Sequence, residues 1–186
     1  MTLTVEQARQ LMNEWVDSPS LRNHMECVAC CTRSYAMRIV PEEADHWEIA
    51  GLLHDMDYER HPSVEEHPFV GVQHLRDRGD VDESILQAIL AHADYSGEPR
   101  TSPIATHLFA CDELAGFIVA CSRVIPEGIR DLQLKSVKKK LKNRKFAAAV
   151  NRDDIALGAK EIGVDLDVHI QNCIDALNGD RERLEL

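Results

Sequence analysis

Four ionisable side chains fall on helix faces that otherwise carry apolar residues, and together they describe a site for a cation. His24 stands between Leu21 and Val28, His54 follows Trp47 and Ala50 at i−7 and i−4, and His92 follows Ile85 and Ile89 at i−7 and i−3. Asp112 has Leu108, Ala115 and Val119 at i−4, i+3 and i+7. These offsets mark one face of a helix of 3.6 residues per turn. A carboxylate buried there costs on the order of several kcal/mol unless it meets a cation, and no Lys or Arg shares those faces. A divalent ion is the economical partner: histidine nitrogen with carboxylate oxygen suits Mn, Fe, Co, Ni or Zn and leaves Mg open. Such an ion lowers the pKa of water and polarises a phosphoryl oxygen, which is what hydrolysis of a phosphate ester requires. Taken singly, each residue has a blander reading, a hydrogen-bonded core histidine or an aspartate tying two helices. Four together favour the metal.

The elements that must position these side chains are helices. Thr4 with Gln7 resembles a capping box ahead of Val5, Ala8, Leu11, Met12 and Trp15, and the pattern breaks at Asp17-Ser18-Pro19. Ser20 is expected to cap a second helix that carries Leu21, His24, Val28, Cys31 and Tyr35 to near Pro41, and a third helix runs from about Glu42 to His54. Residues 55–66, with Pro62, read as a polar surface loop. His67-Pro68 opens a helix to Arg78 that stops at Gly79, Asp82 caps the next to about His92, and Gly97 and Pro99 mark a second loop. Ser102-Pro103 is a strong start signal, a capping hydroxyl followed by proline at the first helical position, for a helix to about Val124. The basic segment predicts a short helix, Asn151-Arg152-Asp153 caps a helix over 154–161, and Asp165 or Asp167 caps a last one to about Asn178.

The string Ala50-Gly51-Leu52-Leu53-His54-Asp55, with His24 thirty residues before the histidine and Asp112 after it, resembles the HD superfamily of metal-dependent phosphohydrolases over about residues 20 to 125. Within it the chain is similar to a small group of stand-alone predicted hydrolases without an assigned substrate, which also carry segments like HADYSG and CDELAGF. The resemblance implies an all-α, single-domain HD-type helical bundle over 1–186, with the metal core in 20–125 and a basic segment plus packing helices in 126–186. It implies His24, His54, Asp55 and Asp112 as ligands of one divalent ion, with His54 and Asp55 catalytic and Asp55 both ligand and proton acceptor. Some members bind a second ion through two further histidines, matched here by His67, with His61 competing, and by His92, so one or two ions per chain are expected.

Two departures shape the expected substrate. Many relatives continue His-Asp with Ile-Gly-Lys, where this chain has Met56-Asp57-Tyr58 and so lacks a lysine that could contact phosphate. Arg100, Lys135 and Lys138 are candidates to supply that charge, against the plainer reading of solvated surface residues. Signalling-nucleotide phosphodiesterases often carry a His-His pair and a Gly-Tyr-Pro signature, where this chain has Ala91-His92-Ala93 and no such signature, so cyclic di-GMP hydrolysis is disfavoured. The expected activity is hydrolysis of a phosphomonoester or phosphodiester in a nucleotide or small phosphorylated metabolite. A di-iron oxygenase built on the same six residues and a non-catalytic binding module with a structural metal are the alternatives.

Composition bounds the rest. The 186 residues are 44% apolar but only 5% aromatic, which favours helix packing over a sandwich of aromatic strands. A net charge of −11 disfavours nucleic acid as a partner, although seven basic residues and no acid lie between Lys135 and Lys145. No signal peptide opens the chain and no apolar run is expected to span a bilayer, so no membrane association is expected and the protein reads as cytoplasmic. The cysteines Cys27, Cys30, Cys31, Cys111, Cys121 and Cys173 lie in apolar helical stretches and read as reduced, packed thiols. His24-x2-Cys27-x2-Cys30 looks superficially like a zinc string, but on one helix these side chains diverge. The sequence leaves the oligomeric state open.

Overall fold

The computed structural model describes residues 2–186, and among them the chain is all-helical. The helices are α1 (Val5–Trp15), α2 (Pro19–Ile39), α3 (Ala44–Leu53), α4 (Phe69–Arg78), α5 (Glu83–His92), α6 (Pro103–Ser122), α7 (Leu134–Leu141), α8 (Arg152–Glu161) and α9 (Leu166–Gly179). Their starts follow the capping chemistry of the sequence. Thr4 and Gln7 form the reciprocal capping box of α1, and the Ser102 hydroxyl accepts from Ala105 N ahead of Pro103. Asp165, rather than Asp167, caps α9 by accepting from Asp167 N and Val168 N. The second helix differs from expectation. Its cap is Ser18, which accepts from Leu21 N, because Pro19 lacks an N–H and fits the first helical position; Ser20 lies inside. A short 3-10 turn at Pro41–Glu43 separates α2 from α3.

Helices α2 and α6 form the centre. α2 packs against α3, α6 and α9, while α6 also packs against α5 and α8. One contiguous core runs from Leu3 to Leu184, with Trp47, Phe117 and Leu108 fully buried. The approach of α3 to α2 is set by Gly51, where a Cβ would lie 2.5 Å from the Cα of Ala29. Thr32 on α2 donates to the Trp47 carbonyl on α3 at 2.9 Å and ties the same pair.

By length and composition alone, α6 is long and apolar enough to cross a membrane, which corrects the expectation that no run approached that length. The reason is packing: 72% of its most apolar window is buried inside the fold. A helix buried on nearly all sides reads as apolar all round. The buried residues His107 and His169 illustrate the plain core histidine. His169 Nε2 donates to the Ala110 carbonyl at 2.9 Å, and the Tyr35 hydroxyl donates to its Nδ1 at 2.6 Å.

Candidate metal centre

Five segments of the chain bring six side chains into one cluster. His24 comes from the second turn of α2, His54 and Asp55 follow directly on the end of α3, His67 precedes α4, His92 is the last residue of α5, and Asp112 lies midway along α6. Packing of α2 on α6 places His24 Nε2 2.9 Å from Asp112 Oδ1. His54 Nε2 is 3.5 Å from both Asp112 Oδ1 and Asp55 Oδ2. His67 and His92 approach the other oxygen of Asp55, with Nε2 to Oδ1 distances of 3.3 and 3.5 Å. Asp55 therefore divides the cluster: Oδ2 faces His24 and His54, Oδ1 faces His67 and His92. Two groups that could hold an ion result, His24 with His54 and Asp55, and Asp55 with His67 and His92, the ligand atoms of each lying within 4.8 Å of one another.

Three of the histidines are locked in the tautomer that ligation needs. A carbonyl oxygen only accepts, so His54 Nδ1, 2.8 Å from Gly51 O, and His92 Nδ1, 2.5 Å from Ile89 O, are donors. The carboxylate of Asp57 does the same for His67, accepting from Nδ1 at 2.7 Å. Each ring then turns Nε2 inward, the arrangement by which an outer hydrogen bond fixes a metal-ligating imidazole. His54 Nε2 is fully buried and has no hydrogen-bond partner, a vacancy in its bonding that costs stability unless a cation meets it. Burial opposes a charge on His54, but Asp55 and Asp112 outweigh it and push its pKa up to about 9, so a proton and a divalent ion compete for Nε2. Although burial works against them too, the Asp55 and Asp112 carboxyls are held below the usual range by His54 foremost, joined by His92 at Asp55 and by His24 at Asp112. The donor set and its charge fit a divalent ion.

Asp57 belongs to the same cluster, although no helical period marks it in the sequence. It is buried, and its second oxygen accepts from Gly71 N at 2.6 Å. A side chain at Gly71 would meet the Asp57 carboxylate carbon at 3.0 Å, so glycine there permits the contact. The sequence signal is slight, an acid two residues beyond His-Asp where relatives place glycine. His67 itself is buried rather than a solvated helix start, and His61 stands apart, paired with Glu66 at 3.0 Å.

The cluster floors a pocket of about 600 Å³. Tyr58 and Tyr95, both about half exposed, line it together with Phe109, Glu113, Asp154 and the wall Ala149–Asn151. Asp112 is not sealed in the core as its apolar neighbours suggest; 21% of its side chain is exposed. Burial, then the adjacent Asp112, pushes the Glu113 carboxyl up to about 7. Tyr95 and Glu113 fall within the HADYSG and CDELAGF segments, so their presence was signalled, though not their role. A larger groove of about 870 Å³, bordered by Arg9, Glu26, Arg33 and Glu48, lies elsewhere, and those four residues pair among themselves.

The residues expected to supply positive charge do not line this pocket. Arg100 is committed: it pairs with Glu161 at 2.7 Å and Asp94 at 2.5 Å, donates to the Ala91 carbonyl, and lies 3.8 Å over the Phe109 ring. It braces the pocket wall from behind. Lys138 pairs with Asp167 on α9 at 2.5 Å, and Lys135 is exposed on α7. The cysteines are free and buried; Cys27 has its thiol pushed up to about 12 by burial, which suits packing and not ligation.

The profile of the HD domain matches residues 21–116, a stretch that holds His24, His54, Asp55, His67, His92 and Asp112. No curated protein and no solved structure matches the chain. Families with this domain are mostly metal-dependent hydrolases. With just over half the chain matched and a converging His/Asp cluster within the match, the chain belongs to the HD domain family.

Proposed function

We propose that the chain is a metal-dependent phosphohydrolase that cleaves a phosphate ester at a two-ion centre. The observation that carries the proposal is the division of Asp55, each of whose oxygens faces its own pair of histidines. His24, His54, Asp112 and Asp55 Oδ2 would hold one ion; His67, His92 and Asp55 Oδ1 would hold the other. Divalent ions there supply a Lewis acid for phosphoryl oxygens and an activated water at neutral pH. The chain's own groups do the rest. Gly51, Asp57 and Ile89 hold three imidazoles in register through their Nδ1 protons. The hydroxyls of Tyr58 and Tyr95, which have no hydrogen-bond partner among the described residues, can donate to a bound ester.

Asp55→Ala is expected to abolish phosphate release while circular dichroism keeps its helical signature. Undiminished release would contradict the proposal. The shared carboxylate also favours one second reading, an oxygenase with two irons in the same six-residue set. Two irons per chain with oxygen-dependent turnover and no phosphate release would select it.

A further inference from the structure

We infer that the substrate of this pocket is a small phosphate monoester carrying an ammonium group, an inference that rests on the hydrolase reading above. It starts from the distribution of charge. Asp55 and Asp112 face the histidines, and Asp94 is answered by Arg100. Glu113 and Asp154 also line the pocket, and among the described residues neither has a Lys, Arg or His nitrogen within 4.0 Å, although Arg100 acts on Asp154 and His24 on Glu113 from farther away. Glu113 Oε2 accepts from Asn151 N at 3.1 Å, which leaves its other oxygen free. No Lys or Arg lines the pocket.

The acids alone would not make a site. The pocket floor is marked as an ion site by His54, fully buried, whose Nε2 has no partner and faces the carboxylates there, and the two acids of the wall lie beside that site rather than forming one of their own. Two divalent ions would be set against Asp55, Asp112 and the buried Asp57, leaving one positive charge, which a phosphate monoester dianion already exceeds. A di- or triphosphate would bring further negative charge beside Glu113 and Asp154 with no cationic side chain to meet it. What remains beyond the phosphate is a wall with two carboxylates and two half-exposed tyrosine rings, Tyr58 and Tyr95. Carboxylates and aromatic faces together recognise a cation, and an organic ammonium is the form a small ester can carry. The pocket of about 600 Å³ has room for such an ester beside the ions.

Binding of two isosteric, non-hydrolysable probes to the metal-loaded protein tests this by titration calorimetry. 3-Aminopropylphosphonate is expected to bind about tenfold or more tightly than butylphosphonate, and Asp154→Asn or Glu113→Gln to shrink that ratio several-fold. Equal affinities, or tighter binding of butylphosphonate, would overturn the inference. Phosphate release separates this failure from failure of the hydrolase reading. Equal efficiency on phosphoethanolamine and propyl phosphate, or a preference for adenosine monophosphate, would sink the ammonium class and leave the hydrolase standing; release from none of the three would sink both.

Discussion

Asp57 Oδ1 accepts the Nδ1 proton of His67 at 2.7 Å, and this contact decides which nitrogen of His67 turns toward Asp55. Asp57 touches neither the carboxylates of the cluster nor the open pocket, so it is a positioning residue. Asp57→Ala frees the imidazole to rotate and strips Gly71 N of its acceptor. Affinity for the ion on the His67 and His92 side is expected to fall about 10- to 100-fold, with the ion on the His24 side retained. Calorimetric metal titration reads both steps; equal loss at both would show a general folding defect instead.

The close approach of α3 to α2 makes a second prediction. Gly51→Ala would push a methyl to 2.5 Å from the Cα of Ala29, backbone that cannot move aside without shifting the helix carrying His24. The expected cost is about 1–3 kcal/mol or more, measured by urea unfolding. Because Gly51 O also accepts from His54 Nδ1, the displaced carbonyl should weaken metal uptake as well.

His169 predicts how stability responds to acid. Burial, outweighing the hydrogen bond to Ala110, depresses its pKa from 6.5 to about 4. The unfolded chain therefore takes up a proton near pH 6.5 that the folded chain refuses until about pH 4. The contribution is present in full above the unfolded value and is lost as pH falls through that window, for a total of about 3 kcal/mol. His169→Gln should flatten the pH dependence of unfolding free energy between those limits. A slope identical to that of the unaltered protein would contradict the assignment.

Arg100 offers a test of bracing against binding. Its guanidinium ties Asp94 and the face of Phe109, which line the pocket, to Glu161 outside it. Arg100→Ala is expected to lower the melting temperature by several degrees, about 1–2 kcal/mol. A fall in kcat/KM for phosphate esters with no change in melting temperature would instead restore it as a substrate contact.

How much of this was readable in the sequence depends on the residue. His24, His92 and Asp112 betrayed themselves because each interrupts an apolar stripe of period 3.6, and a helix core makes that interruption costly. Helix starts at Thr4, Asp82, Ser102 and Asn151 were equally open, since capping is local chemistry. Asp57 was not, because its segment has no period and its partner His67 lies ten residues away across a turn. The character of the pocket was hidden for a related reason. Glu113 and Asp154 sit on different helices, and only the packing of α6 against α8 places both at one wall. Arg100 looked free because its partners, Glu161 foremost, come from elsewhere in the chain.

Whether two ions share Asp55 is read from the metal content of protein purified without chelator, measured by mass spectrometry. Two divalent ions per chain are expected, one per chain in His67→Ala, and loss of phosphate release in that variant. A single ion per chain in both proteins, or full phosphate release by His67→Ala, would contradict that expectation.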